Sequence, residues 1–161
     1  MSVRVVFYAV LAALAACSPM SADAGQKAAA SAPVRHPISG LEVVPLSIAS
    51  ANGRHEFRVE IARTDTEWEK GLMFRTSMGA DEGMIFVDRP PQRASFWMKN
   101  TVIPLDMVFV GPDRRIESIA PDAVPYSLAP ISSQGPVVAI LELNGGRAAQ
   151  LGLAIGDRVE W

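Results

Sequence analysis

The chain has few of the residues on which several classes of functional site depend. It contains one cysteine in 161 residues, which excludes an intramolecular disulfide and any metal site built from several cysteines. Charged residues make up only 20% of the chain, and 15 basic side chains nearly balance 17 acidic ones. A net charge of −2 provides no electrostatic footprint for a nucleic acid, so we expect no nucleic-acid partner.

The sequence also lacks the short motifs that carry well-known chemistry. It contains no HExxH, no Walker phosphate loop, no GxSxG and no GxGxxG. We therefore predict no catalytic residue, no metal ligand and no cofactor. Hydrophobic residues nevertheless make up 49% of the chain, which is enough to build a core and argues against a disordered protein.

An unbroken apolar run occupies residues 5–16 and ends at the only cysteine. As a helix this run spans about 18 Å, too short for a hydrocarbon core of about 30 Å but typical of a signal peptide. Its end, Leu14-Ala15-Ala16-Cys17, resembles a bacterial lipobox, in which the cysteine thiol receives diacylglycerol. We predict that residues 1–16 are a signal peptide and that Cys17 is lipidated. The protein would then be exported to the cell envelope and anchored in a membrane, facing the periplasm.

A second cleavage site keeps an alternative location open. Ala22-Asp23-Ala24 is an A-x-A sequence, and cleavage after Ala24 would release a soluble periplasmic or secreted protein. Residues 17–40 are rich in alanine, serine and proline and show no apolar periodicity, so we predict a lipidated N-terminus and flexible tether there. Residues 41–161 then form a single mostly-β domain.

Within that domain the pattern is mostly that of strands. Asn52-Gly53 separates two apolar arms and predicts a hairpin. A capping box at residues 64–67 predicts a short helix near 64–74, and a second is expected near 147–151. The expected fold class is mostly β (α+β): a compact β-sandwich or barrel of about eight strands. The loop 121–136 holds four prolines and is predicted to be a lid or a binding loop.

Residues 95–110 contain the candidate binding residues. If residues 95–100 and 105–110 pair as a hairpin, Lys99 lies opposite Asp106, and Trp97 lies on the same face. Such an ion pair either fixes the strand register or, with the indole, forms a small binding surface. On the binding interpretation the indole stacks on a sugar or another flat ligand. The candidate binding residues are Trp97, Lys99, Asn100, Thr101 and Asp106.

Five segments of the chain resemble one family. They are GLMFR at Gly71–Arg75, GMIFV at Gly83–Val87, FWMKNT-VIPLD at Phe96–Asp106, ILEL-NGG at Ile140–Gly146 and IGDRV at Ile155–Val159. Together they resemble the bacterial and archaeal family called domain of unknown function 192, over about residues 56–161. The resemblance implies a compact mostly-β domain, often preceded by a signal peptide, and an envelope location. It implies no activity and no catalytic residues.

Three functions are compatible with this sequence. The first is a lipid-anchored envelope protein that acts as a binding or interaction module for a glycan, a peptidoglycan fragment or a protein partner. The second is a hydrolase that uses Asp106 or Lys99 with help from the loop 121–136. The third is a Cu(I)-binding protein, because soft thioether sulfurs recur at five positions: Met73, Met78, Met84, Met98 and Met107. Methionine also fills irregular core gaps, and the strand pattern places the last two inside.

Overall fold

The computed structural model describes residues 32–161, which form a mostly-β domain with two short helices. The strands are β1 (Val43–Ser50), β2 (Gly53–Ala62), β3 (Glu82–Phe86), β4 (Ser95–Phe96), β5 (Leu105–Val110), β6 (Ile116–Ala123), β7 (Ile131–Ser132), β8 (Ala139–Asn144) and β9 (Arg158–Glu160). The helices are α1 (Asp65–Lys70) and α2 (Arg147–Leu151). The predicted fold class is confirmed. No helix in this part of the chain is long and apolar enough to cross a membrane.

Seven strands form one curled sheet in the order β6-β5-β8-β3-β2-β1-β9. All neighbouring strands are antiparallel except β2 and β3, which are parallel. A single bridge between Arg115 and Arg158 joins the two edge strands, and the N–H of Val159 donates to the carbonyl of Arg114 at 2.8 Å. The sheet is therefore a partly closed barrel. Strands β4 and β7 form a separate two-stranded sheet.

Local sequence signals place the first hairpin and the first helix. Strands β1 and β2 pair across the Asn52-Gly53 turn, with Ser50 opposite Gly53. At the start of α1 the N–H of Glu67 donates to the Thr64 hydroxyl at 3.3 Å, and the Thr64 N–H donates to the Glu67 carboxylate at 2.8 Å. This confirms the capping box. The helix ends earlier than predicted, because Gly71 leaves the helical conformation with φ of 45°.

The barrel has apolar side chains on both faces. Because side chains alternate along a strand, Leu141 and Leu143 of β8 pack inside the barrel, whereas Ile140 packs on its outer face. The inner cluster contains residues of β1, β2, β3, β5, β6, β8, β9 and α2. The outer cluster is covered by α1 and by the segments that flank β4 and β7. Two layers of core therefore lie on one sheet.

The predicted pairing of residues 95–100 with 105–110 is wrong. Strand β5 lies between β6 and β8, and β4 pairs with β7 instead. Asp106 is therefore opposite Leu143 of β8. The chain leaves the extended conformation after β4, and Asn100 has a φ of 56°, so the short connection does not fold back as a hairpin. Strand β5 forms hydrogen bonds along both edges, with β6 on one side and β8 on the other. The spacing of residues within 95–110 could not reveal this pairing.

Residues 32–40 belong to the segment predicted as a tether, and some of them contact the barrel. The N–H of Val43 donates to the carbonyl of Val34 at 2.7 Å. The His36 ring lies 3.6 Å from the carboxylate of Glu60, which forms a buried ion pair with Arg75 at 2.8 Å. The rest of the predicted tether, the predicted signal peptide and Cys17 lie outside the described residues.

Candidate functional site

A cavity of about 530 Å³ lies between the outer face of the barrel and the segments that cover it. Its volume falls in the range of pockets that bind small molecules, roughly 300–1,000 Å³. Four elements supply apolar side chains to its walls: Trp68 from α1, Phe86 from β3, Phe96 from β4 and Ile140 from β8. The cavity is therefore built from the outer core layer and is mainly apolar.

Three of these side chains form an aromatic wall, which we define as Trp68, Phe86 and Phe96. Their ring centroids lie 5.0–5.8 Å apart, and the two phenylalanines meet edge to face. The indole N–H of Trp68 donates to the carbonyl of Val87 at 3.2 Å, which fixes the ring. The capping box at Thr64 contributes indirectly, because it sets where α1 begins and so where Trp68 lies.

One acidic residue, Glu142 of β8, also lines the cavity. Its side chain is 4% exposed, and its Oε2 has no hydrogen-bond partner among the described residues. It lies between two methionines in the sheet, with Met84 opposite on β3 and Met107 opposite on β5. Burial alone raises the pKa of the Glu142 carboxyl to about 8. At neutral pH this side chain is mainly a protonated hydrogen-bond donor in an apolar cavity.

The remaining charged side chains of the cavity are mostly basic. They are Glu69, Lys70, Arg89, Arg93 and Lys99. Arg89 pairs with Asp65 and lies 4.2 Å over the Trp68 ring. In the described part of the chain, the other three cations have no carboxylate within 4.0 Å. Four cations against one exposed carboxylate make the entrance positively charged.

The cavity brings together three of the five candidate binding residues: Trp97, Lys99 and Thr101. The Trp97 side chain is 50% exposed, and the ammonium of Lys99 lies 5.1 Å from the centre of its ring. Asn100 is not part of the lining. Its amide donates to the sulfur of Met73 at 3.8 Å, and its carbonyl accepts from the N–H of Phe74 at 2.8 Å.

Asp106 lies apart from the cavity lining and is fully buried. Its carboxylate accepts three backbone hydrogen bonds, from Asp122 and Gly146 at 2.9 Å and from Ala148 at 2.7 Å. The predicted ion pair with Lys99 does not form. Asp106 instead ties the start of α2 and the end of β6 to β5, which is a structural role.

The proline-rich loop 121–136 reaches the cavity through Leu128 and Pro130. Backbone hydrogen bonds hold it against the segment after β4: the N–H of Met98 donates to the carbonyl of Ser127 at 2.9 Å. Tyr126 has a φ of 61°, which is uncommon for a bulky aromatic residue. The loop therefore borders the cavity.

The methionines noted in the sequence lie mostly in the core. Met84, Met98 and Met107 are fully buried in the outer cluster, and Met78 packs against it. Only Met73 lines the cavity. Four of the five sulfurs thus serve packing in the outer core layer.

Sequence reasoning missed Glu142. The available signal was a single acidic residue inside the otherwise apolar strand segment VVAILEL, which ends at Leu143. When both faces of the strand are covered, a carboxyl at this position cannot reach solvent. The continuous apolar run predicts a buried strand, but the side chains that neighbouring strands place beside Glu142 depend on long-range pairing.

A family model described as "Uncharacterized ACR", the domain of unknown function 192 (DUF192), matches residues 47–161. The chain belongs to the DUF192 family. The predicted resemblance is confirmed, and the match begins nine residues earlier than expected, within β1. The cavity residues described above all lie inside the DUF192 match.

Two crystal structures are similar to this DUF192 chain. One is a protein of unknown function from Novosphingobium aromaticivorans, 57% identical, with a TM-score of 0.79 over 82% of this chain and 94% of that one. The other, from Sinorhizobium meliloti, is described as a "putative transcription regulator"; it is 40% identical, with a TM-score of 0.72 over 74% of this chain and 94% of that one. No curated protein matches the chain.

Proposed function

We propose that this DUF192 protein is a binding module that takes a small ligand into the cavity beside Glu142. The unpartnered carboxyl carries the proposal. A buried polar group without a hydrogen-bond partner costs about 1–3 kcal/mol, and nearly all such groups in native proteins are paired. A ligand that supplies the missing partner would recover this free energy on binding. Pockets that combine apolar walls with one perturbed titratable group are typical binding sites.

The exposed edge of the cavity supports a ligand with a flat or cyclic part. Trp97 presents half of its side chain to solvent beside Lys99, an arrangement suited to stacking on a sugar ring or another planar group. The volume accommodates a small molecule or a fragment of a glycan or peptidoglycan. A folded protein partner would not enter it.

A second candidate function is proton transfer by Glu142. A carboxyl whose pKa is raised to about 8 can act as a general acid near neutral pH. The hydrolase hypothesis used Asp106 or Lys99. The oxygens of Asp106 are occupied by three backbone N–H groups, whereas Lys99 lines the cavity. An enzyme at this site would use Glu142 as its acid, with Lys99 in the same lining, and its rate would fall above pH 8.

We expect a bulky side chain at the cavity wall to block binding. Ser95 is exposed and lines the cavity, so Ser95→Trp fills part of it; Ala51→Trp, in the exposed β1–β2 turn, is the matched control. Thermal unfolding is measured with muramyl dipeptide, chitobiose and aromatic carboxylates and amines. A probe at a hundred times its Kd raises the Tm of the wild type and the control by about 5 °C or more, and leaves Ser95→Trp unchanged. Equal shifts in both variants, or none in the wild type, would disprove the proposal.

We also propose that the protein is exported and lipid-anchored at Cys17, with the domain facing the periplasm. The apolar run 5–16 and the adjoining lipobox support this. Cells fed an alkyne fatty acid should label the wild type and Ser18→Ala but not Cys17→Ser. Label in Cys17→Ser, or a mature protein that begins at Gly25 after cleavage behind Ala24, would contradict the anchor.

A further inference from the structure

We infer that the cavity ligand is an anionic amphiphile: an uncharged hydrogen-bond acceptor faces Glu142, an apolar body packs on the aromatic wall, and an anionic group lies among the cations at the entrance. This inference rests on the proposed binding function and names the chemical class of its ligand. The arrangement follows from the burial of the lining residues: Glu142 is buried, whereas the cations Lys70, Arg93 and Lys99 are exposed.

The inner part of the cavity offers one hydrogen-bond donor, the Glu142 carboxyl, and no charged side chain that could pair with it. The two residues level with Glu142 on the neighbouring strands are Met84 and Met107, which carry no charge. The charged groups of the cavity come from α1 (Glu69 and Lys70) and from the segments before and after β4 (Arg89, Arg93 and Lys99). None of them contributes to the pKa of Glu142, which burial alone raises. A neutral carboxyl in this setting can donate to a ketone, amide or ester oxygen.

The middle part is apolar and rigid. The aromatic wall consists of Trp68, Phe86 and Phe96 in mutual contact, and Leu72 and Ile140 add aliphatic surface. Such surface gains roughly 25 cal/mol for each Å² of apolar area removed from water. A ligand whose body is aromatic or alkyl fits this part. A ligand that is polar throughout gains no free energy from this part.

The entrance is the only place in the cavity where an anion finds unpaired cations among the described residues. Lys70, Arg93 and Lys99 are exposed and have no carboxylate partner there. Arg89 is partly engaged by Asp65. A carboxylate, sulfonate or phosphate at this position keeps its solvent contact and gains charge-assisted hydrogen bonds.

The positive charge at the entrance disfavours one alternative ligand, a cationic amine. It would have to pass the four cations and would pair with the ionised carboxylate of Glu142, so its affinity would rise with pH as the carboxyl loses its proton to solvent. The anionic amphiphile requires the protonated carboxyl, so its affinity falls with pH. The two classes therefore predict opposite slopes.

The test is calorimetric titration of the full chain in detergent with 4-(4-acetylphenyl)butanoate, which has a ketone, an aromatic body and a carboxylate. The matched cation is 4-phenylbutylamine. We expect the butanoate to bind and its affinity to fall about tenfold between pH 7 and pH 9, because the carboxyl ionises over this range. Glu142→Gln retains a donor, so it binds within about threefold of the wild type at pH 7 and loses the pH dependence.

Two further variants examine the entrance. Arg93→Gln should weaken butanoate binding about three- to tenfold, whereas Arg58→Gln, an exposed arginine of β2 outside the cavity, should not. Competition by laurate or by phosphatidylglycerol vesicles distinguishes a free amphiphile from a membrane lipid. The inference is overturned if the amine binds with an affinity that rises with pH and if Glu142→Gln abolishes this binding. It is also overturned if only an uncharged probe from the panel binds. The proposed function survives either result. The inference and the proposed function fail together only if no probe binds the wild type.

Discussion

Asp106→Ala lowers the free energy of unfolding by about 4 kcal/mol, because three backbone N–H groups lose their acceptor in a dry environment. The donors belong to Asp122, Gly146 and Ala148, at 2.7–2.9 Å from the carboxylate. Each buried donor left unpaired costs about 1–3 kcal/mol. The loss is larger than for a surface aspartate, since the side chain connects β5 to the end of β6 and to the start of α2. Urea unfolding followed by tryptophan fluorescence measures it.

Asp106→Asn should give an intermediate loss of about 2 kcal/mol. Its amide oxygen can replace one carboxylate oxygen, but its NH2 group faces a backbone donor that then has no acceptor. The control is Asp122→Asn, an exposed residue with a φ of 48° that asparagine tolerates well, which should change stability by less than about 0.5 kcal/mol. A loss below about 1 kcal/mol in Asp106→Ala would contradict the structural role of this carboxylate.

The second large effect is a loss of stability with rising pH that originates at Glu142. Its pKa is raised from 4.5 to about 8 in the folded protein, so the folded state binds the proton more tightly than the unfolded state does. The stabilisation is complete below the unfolded pKa and is lost as pH rises through the folded pKa. One pKa unit corresponds to 1.36 kcal/mol, so the wild type loses roughly 3 kcal/mol between pH 6 and pH 9.

Glu142→Gln isolates this effect, because every other titratable group is shared with the wild type. We expect the difference in free energy of unfolding between the variant and the wild type to grow by roughly 3 kcal/mol in favour of the variant from pH 6 to pH 9. The carboxylates of Glu67 and Glu160 have lowered pKa values, owing mainly to hydrogen bonds from the Thr64 backbone and from Arg158, so they do not titrate in this window. Parallel stability curves would show that Glu142 is not a buried neutral acid.

Glu142→Met extends the same reasoning to function. Methionine would continue the apolar row formed by Met84 and Met107 and would remove the unpartnered oxygen. The variant should therefore be more stable than the wild type at pH 7 but should not bind the probe. A gain in stability with a loss of binding is the pattern expected of a residue retained for a ligand.

Local patterns predicted much of the fold. The Asn52-Gly53 turn, the capping box at Thr64 and the mostly-β class depend on neighbours a few residues apart, and the structure has all three. The FWMKNT-VIPLD segment was enough to indicate the DUF192 family, because a long continuous match needs no knowledge of contacts. For the site, the same segment supplied Trp97, Lys99 and Thr101 of the cavity.

The remaining features depended on which strands became neighbours. Local spacing suggested that β5 pairs with the segment containing Lys99, but its partners are β6 and β8, so Asp106 lies in a nest of backbone donors. The same long-range pairing covers both faces of β8 and turns Glu142 from an ordinary polar residue into an unpartnered carboxyl.

The sequence by itself thus determined the fold class and the family, because each depends on residues close together along the chain. Only the tertiary structure decided which carboxylate is structural and which one faces the cavity. The reason is physical: the cost of a buried charge, and the use to which it is put, depend on the partners that distant strands bring to it.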